Sequence, residues 1–420
     1  MSVSYDPELR KVTVRDENTF PQSVFDYSDE LEILDMSNNH LSTLPGLGRL
    51  KNLRVAFFSN NPFEVVPTVA LNDCTKLELL GMRSCNIRTF EDAPLPASLR
   101  GLILTDNKIS LLPSSIGNCV RLQKLMMTGN HLTELPPELA NCRNLEILRL
   151  AVNKLVTIPQ WLLELPRLAW YADSSNPYSV VLNSESPEIA WSDITLGPEL
   201  GHSVNNIVYY GRLSDGREVA VKQFGHNLVT DGLPLDDISA SLAAGNHDNV
   251  IGALGKIVGA PDEYQRLVMP LVGSDFTCLG SPPSLATISR DVYPDGQTFS
   301  TQFVIRVLRT VVTGIHHLHS NGIMHGDLYA HNILTRADGE SYVGDFGGAS
   351  LYAPDSDSGK LRELVDVRAF GYLVEELISR ISPSIDGNDA LGLQSLRDSC
   401  LDEEIRKRPT FAKILAFLAA

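Results

Sequence analysis

The sequence is short of several things, and each shortage removes a class of protein. No apolar run approaches the roughly eighteen residues that a membrane-crossing helix needs. The start, Met1-Ser2-Val3-Ser4-Tyr5-Asp6, lacks the basic and apolar regions of a secretion signal. Cysteine is scarce, six in 420 residues and none in a C-x-x-C pair. That argues against a disulfide scaffold or a zinc module and for reduced thiols, so a cytoplasmic location is expected. Positive charge is short as well: 35 Lys and Arg stand against 51 Asp and Glu, a net charge of −16. Residues 1–178 hold 17 basic and 20 acidic side chains, which leaves −13 on residues 179–420. A chain this acidic is a poor partner for nucleic acid or an anionic membrane, and neither is expected. Apolar content of 43% and charged content of 20% are ordinary for globular protein, and the length leaves room for at least two domains.

What is present begins with a repeat. The pattern L-x-x-L-x-L-x-x-N-x-L starts at Leu31, Leu53, Leu77, Leu99, Leu122, Leu145 and Leu168, at intervals of 22, 24, 22, 23, 23 and 23 residues. Its asparagine position holds Asn39, Asn61, Cys85, Asn107, Asn130, Asn153 and Asn176. A weaker copy at Leu9, Val12 and Val14 reads as a first turn or cap. This spacing predicts a leucine-rich repeat solenoid, an α/β horseshoe, over residues 1–180. Each copy offers a short strand whose leucines cannot be buried alone, so stacking is required. The asparagine amide is expected to satisfy backbone groups where the chain leaves the strand, with the Cys85 thiol as a weaker donor. Leu-Pro and Ile-Pro pairs at Pro45, Pro113, Pro136 and Pro159 suit the return turns. One column of strand residues between the leucines reads Asp35, Phe57, Gly81, Ile103, Met126, Arg149 and Ala172. Phe57, Ile103 and Met126 in it predict an apolar strip on the concave face that takes a protein partner. Residues 181–191 read as a linker closing on Trp191.

The second half is organised around Met324-His325-Gly326-Asp327-Leu328-Tyr329-Ala330-His331-Asn332, followed thirteen residues later by Asp345-Phe346-Gly347. An acid, an amide five residues on and a second acid in a glycine-ended turn suit phosphoryl transfer, which needs a base and oxygen ligands for Mg²⁺. This stretch resembles the catalytic loop and metal-binding turn of a protein kinase. The resemblance runs from Ile194 to the C-terminus. It takes in Val219-Ala220-Val221-Lys222, His247-Asp248-Asn249-Val250, Leu267-Val268-Met269, Asp366-Val367-Arg368-Ala369-Phe370-Gly371 and Arg408-Pro409-Thr410.

The resemblance implies a bilobal α+β domain over residues 192–420, with lobes at 192–272 and 273–420. It implies ATP and Mg²⁺ as cofactors, Asp327 as the base and Lys222 at the α/β-phosphates. Asn332 and Asp345 are implied as metal ligands, and Gly201, Ser203, Val208, Ala220, Met269 and Leu271 as further lining of the nucleotide site. Met269 takes the gatekeeper place, and Phe299–Ser320 is expected to be one long helix. Asp366 is expected to be structural, and Arg408 to pair with Asp355 of Ala353-Pro354-Asp355.

The sequence also departs from the family pattern. Ser203 and Asn206 replace two glycines of G-x-G-x-x-G, in a stretch that includes Val204. The helix glutamate is missing, with Asp237 or Asp236 as its nearest substitute. Gly326 replaces the usual arginine, and Tyr329 the usual lysine, for which His331 could stand in. Five residues separate Gly347 from Ala353. These departures keep two further readings open, a pseudokinase scaffold and a tyrosine-directed kinase. The leading expectation is a Ser/Thr kinase whose repeats recruit a partner or substrate.

Overall fold

The structure, a computed structural model, describes residues 3–180, 187–203, 205–225, 228–382 and 387–419, with the side chains of 387–391 excepted. Residues 181–186 of the expected linker and Val204 of the loop stretch lie outside the described residues. The chain divides into two compact units: Met1–Leu168 with Asn176–Tyr178, and Ala169–Ser175 with Ser179–Ala420. The boundary read from the repeats, at residue 180, passes over Ala169–Ser175, which packs with the second unit.

In the first unit every repeat supplies a three-residue strand. Ile33–Asp35, Val55–Phe57, Leu79–Gly81, Gly101–Ile103, Lys124–Met126 and Ile147–Arg149 pair in parallel, each with the next. The weak first copy forms a hairpin of Val3–Asp6 with Lys11–Val14, whose second strand starts the parallel series beside Ile33–Asp35. The repeat leucines are the core: Leu34, Leu80, Leu102, Leu125 and Leu148 are wholly buried. The asparagines tie neighbouring repeats together. Asn107 is 6% exposed. It donates through Nδ2 to Met82 O and Leu104 O, both at 2.9 Å, and accepts through Oδ1 from Ile87 N at 2.9 Å and Cys85 N at 3.1 Å. Asn61, Asn130 and Asn153 repeat the pattern. Cys85 keeps only the donor half, placing Sγ 3.2 Å from Phe58 O.

A second periodicity is backbone strain. Asn38, Asn60, Ser84, Asp106 and Val152 have φ between 54° and 60°, and Gly129 has φ 71°. Each precedes the repeat's asparagine position, where the chain must turn out of the strand. Asn, Asp and Gly tolerate this left-handed region, whereas a β-branched valine does not. The column Phe57, Gly81, Ile103 and Met126 is in register across the strands. Phe57 and Ile103 are half-buried, but Met126 is 5% exposed, so it cannot serve in the exposed strip expected of it.

The second unit carries a six-stranded sheet in the order Glu188–Ala190, Gly255–Val258, Arg266–Pro270, Glu218–Phe224, Asn206–Leu213, Ile194–His202. Alternation along Glu218–Phe224 sorts its two faces. Val219 and Val221 pack with Ile194, Leu213 and Val268 on one side, against Trp191 and Tyr209. Phe224 joins Leu267, Ile238 and Ala253 in a separate cluster, against which Met269 packs. Beyond the sheet lie the helices Thr301–Ser320 and Asp357–Ile378. The first starts two residues later than expected, because Ser300 caps it by accepting from Phe303 N at 3.1 Å. Gly322, at φ 70°, ends it, and its tight turn leaves no space for a side chain beside Tyr352 O.

Candidate active site

Lys222 stands on the strand Glu218–Phe224, directly opposite Val208 on one side and Leu267 on the other. Its Nζ donates to Asp237 Oδ2 at 2.7 Å and lies 3.5 Å from Asp345 Oδ1. Burial works against the charge on Lys222, but the two carboxylates outweigh it, so the ammonium holds its proton beyond the ordinary lysine range. Lys222 in turn holds the Asp345 carboxyl below the usual carboxylate range, with help from the Gly347 N–H.

Asp237, not Asp236, faces the lysine, and the sequence carried a signal for this. Leu233-Pro234 puts proline at the first turn of the helix Pro234–Ala244, which makes Asp236 its third residue. Asp236 therefore caps the helix by accepting from Leu233 N at 3.1 Å, while Asp237, one step around, points inward with Ser241 Oγ donating to it at 3.0 Å.

Asp327, Asn332 and Asp345 sit on two turns stitched together by buried groups. Asn332 Nδ2 donates to both Asp327 O and Asp327 Oδ2 at 2.8 Å, which leaves its amide oxygen for another ligand. His325 is fully buried, with Nε2 3.1 Å from Gly344 O and Nδ1 accepting from Asp327 N at 3.2 Å. Asp366 is also fully buried and accepts from His325 N at 2.7 Å and Gly326 N at 3.0 Å, with His319 Nε2 at 3.0 Å. Phe346 is buried beside the His325 ring, and Asp345 takes φ 58°, a strained conformation for a carboxylate-bearing turn. The turn after it pairs Ser350–Leu351 antiparallel with Ile323–Met324, so the short segment is anchored to the strand that enters the catalytic loop.

The remaining sequence-predicted residues fall as follows. Gly201 lies opposite Val208 in the hairpin, and a Cβ built on it would meet nothing within 4 Å. Ser203 closes the hairpin, its N donating to Asn206 O at 2.8 Å. Ala220, two residues along the strand from Lys222, pairs with Met269, and Leu271 follows the strand Arg266–Pro270 half-buried. A cavity of about 220 Å³ is lined by Ser203, Asn206, Asp231, Asp237, Asp345 and Gly347 among others. Two expectations need correction. Arg408 donates to Leu364 O and Asp402 O, while Asp355 is exposed. His331 does not take the place of the missing lysine: its Nδ1 lies 2.8 Å from Asp291 Oδ1, and Asp291 Oδ2 also accepts from His331 N. Burial lowers the His331 pKa, but Asp291, with Asp327 and Asp345 beyond it, leaves it raised. Sequence reasoning missed Asp291, which lies 40 residues from its partner in no recognised motif.

Comparison with known proteins gives these features a context. The protein kinase domain family matches residues 195–386, and the Leucine Rich Repeat family matches residues 30–50 and 121–142. The serine/threonine-protein kinase TAO2 of Rattus norvegicus is 26% identical over 272 residues, covering 55% of this chain and 21% of that protein. The serine/threonine-protein kinase fray1 of Dictyostelium discoideum is 29% identical over 175 residues, covering 31% and 30%. The proline-rich receptor-like protein kinase PERK8 of Arabidopsis thaliana is 28% identical over 222 residues, covering 47% and 30%. The chain spans about a fifth to a third of the length of these relatives. No described helix is long and apolar enough to cross a membrane. The chain thus carries a protein kinase domain preceded by leucine-rich repeats.

Proposed function

We propose that the kinase domain transfers phosphate from ATP to a serine or threonine hydroxyl, with Mg²⁺ as its metal, and that the repeats form a curved solenoid that recruits a protein partner. The observation that carries the reading is the convergence on Asp345. Lys222, 123 residues away in the chain, lies 3.5 Å from it while bonded to Asp237.

The donor set suits the implied cofactors. The free amide oxygen of Asn332 and the carboxylate of Asp345 are hard oxygen donors of the kind Mg²⁺ takes. Lys222 would hold phosphate oxygens, and Ala220, Val208, Met269 and Leu271 would receive the base. When bound, Mg²⁺ neutralises charge on the phosphates. Asp327 Oδ2, oriented by the Asn332 amide, accepts the proton of the incoming hydroxyl. His325 and Asp366 hold the backbone at Asp327 and just ahead of it, so the carboxylate is positioned before substrate arrives. The preference for serine or threonine draws support from the relatives named for that activity. The half-exposed Phe57 and Ile103 remain the candidate partner contacts on the repeats. The six free thiols suit the reducing cytoplasm.

The test is incubation of the full chain with labelled ATP and Mg²⁺ beside Asp327→Asn. Positioned base catalysis contributes about 10²–10⁴ in rate, so the variant is expected to lose that factor. Equal labelling by parent and variant sinks the assignment of the base. A thermal melt with Mg-ATP separates the scaffold reading, since a ligand bound to the native state raises stability by mass action. Phosphoamino-acid analysis of the product separates tyrosine from serine and threonine.

A further inference from the structure

Two residues beyond the expected base in the catalytic loop lies Tyr329, and its ring is the start of a column of planar groups. Trp170 stacks on it with ring centres 4.4 Å apart and planes 2° from parallel. Tyr372 stacks with the indole at 5.3 Å and 15°, and the Arg290 guanidinium lies 3.4 Å from the centre of the Tyr372 ring and 5.3 Å from that of Trp170. On its far side Tyr329 meets His331 at 4.9 Å, next to Asn332. Trp170 is 1% exposed and touches Tyr329, Tyr372 and Arg290 at once. Its Nε1 also donates to Leu328 O at 3.0 Å, so it holds the residue next to Asp327 by its backbone as well.

The neighbouring residues of the same unit fix this segment in place. Asp173 and Arg362 form a buried two-pronged ion pair, with Nη1 to Oδ1 at 2.9 Å, and Tyr171 Oη donates to Asp173 Oδ2 at 2.8 Å. The backbone makes an equally close approach. A Cβ on Gly326 would lie 2.4 Å from Tyr171 O and 2.4 Å from Gly348 O, and Gly326 has φ 68°. Glycine at the residue before Asp327 is therefore demanded by the passage of Tyr171, not by the loop alone.

We propose that Trp170 is a positioning residue for phosphotransfer: through its stack on Tyr329 and its bond to Leu328 O, the segment Ala169–Ser175 sets the geometry of the loop that carries Asp327 and Asn332. The proposal rests on the phosphotransfer reading above.

The test uses the full chain and two readouts, steady-state kinetics with Mg-ATP and amide hydrogen exchange over Met324–Asn332. Trp170→Ala is expected to lower kcat about ten- to a hundred-fold, as displacement of a reacting group by about 1 Å does, with KM for Mg-ATP nearly unchanged. Exchange over the loop is expected to quicken. Trp170→Phe keeps a ring in the stack and loses the N–H, so both effects should be present and smaller. If Trp170→Ala melts below the assay temperature, Trp170→Phe decides alone. Parent-like kcat and parent-like exchange in the folded variant overturn the proposal. Were the parent itself inactive, the phosphotransfer reading would fall, and the exchange comparison would still judge whether Trp170 holds the loop.

Discussion

The two units solve the same problem, buried polar groups, in opposite ways. In the repeats one solution is copied: Asn61, Asn107, Asn130 and Asn153 each bond to the carbonyls of two successive strands and accept one or two amides. In the kinase unit each solution occurs once: Asp366 under the loop, Asp237 beneath Lys222, Asp291 beside His331. The copied solution tolerates a poor version, as Cys85 shows by keeping a donor without the acceptor. A single-use solution has no neighbour to share the loss. Redundancy in the one region and uniqueness in the other make different demands on mutation.

The sharpest test of that contrast is Asp366→Ala. It strands two backbone N–H groups and an imidazole in a fully buried site. We expect a loss of about 3–5 kcal/mol in unfolding free energy, read by denaturant titration, together with loss of phosphotransfer. A milder result would show that the kinase unit has spare support after all. Next comes Asn107→Ala, which unpairs several backbone groups and should cost about 2–3 kcal/mol while leaving kcat near the parent value. A fall in kcat as large as the loss from Asp366→Ala would erase the distinction between the units.

Smaller effects refine the picture. Val152→Asn relieves a β-branched residue at φ 56° by using a residue that other repeats place there, and should raise stability by about 1 kcal/mol. No gain in the melt would mean that the half-buried valine side chain offsets its strain. The last test is pH. Burial, then Asp291, pushes the Glu376 carboxyl up from 4.5 to about 7, and Tyr293 Oη lies 3.0 Å from it. The folded state therefore binds this proton more tightly than the unfolded chain. Its contribution to stability falls as pH rises from about 4.5 to about 7, and is lost above that. Glu376→Gln should flatten the stability profile over that window by on the order of 1 kcal/mol. An unchanged profile would assign the dependence elsewhere.

What could be read from the sequence follows the same divide. Periodicity announces the asparagine ladder, because each copy confirms the last. The order and spacing of Lys222, Asp327, Asn332 and Asp345 announce the proposed site, and Lys222 does meet Asp345 while Asn332 meets Asp327. The choice between Asp236 and Asp237 was readable from helix capping but needed the phase of the helix. Trp170 was not readable at all: it meets Leu328, 158 residues on, through aromatic faces that leave no spacing rule behind. The burial of Met126 was equally hidden, because a strand pattern gives the direction of a side chain and not what covers it. The left-handed residue ahead of each asparagine was missed for a simpler reason. Its occupants, Asn, Ser, Asp, Gly and Val, share a backbone shape and no chemistry.

The Asp366 carboxylate has one more implication. It belongs to the helix Asp357–Ile378, its partner His319 to the helix Thr301–Ser320, and its other two partners, His325 N and Gly326 N, to the loop that leads into Asp327. One buried carboxylate therefore joins both helices to the backbone just ahead of Asp327, the residue proposed as proton acceptor.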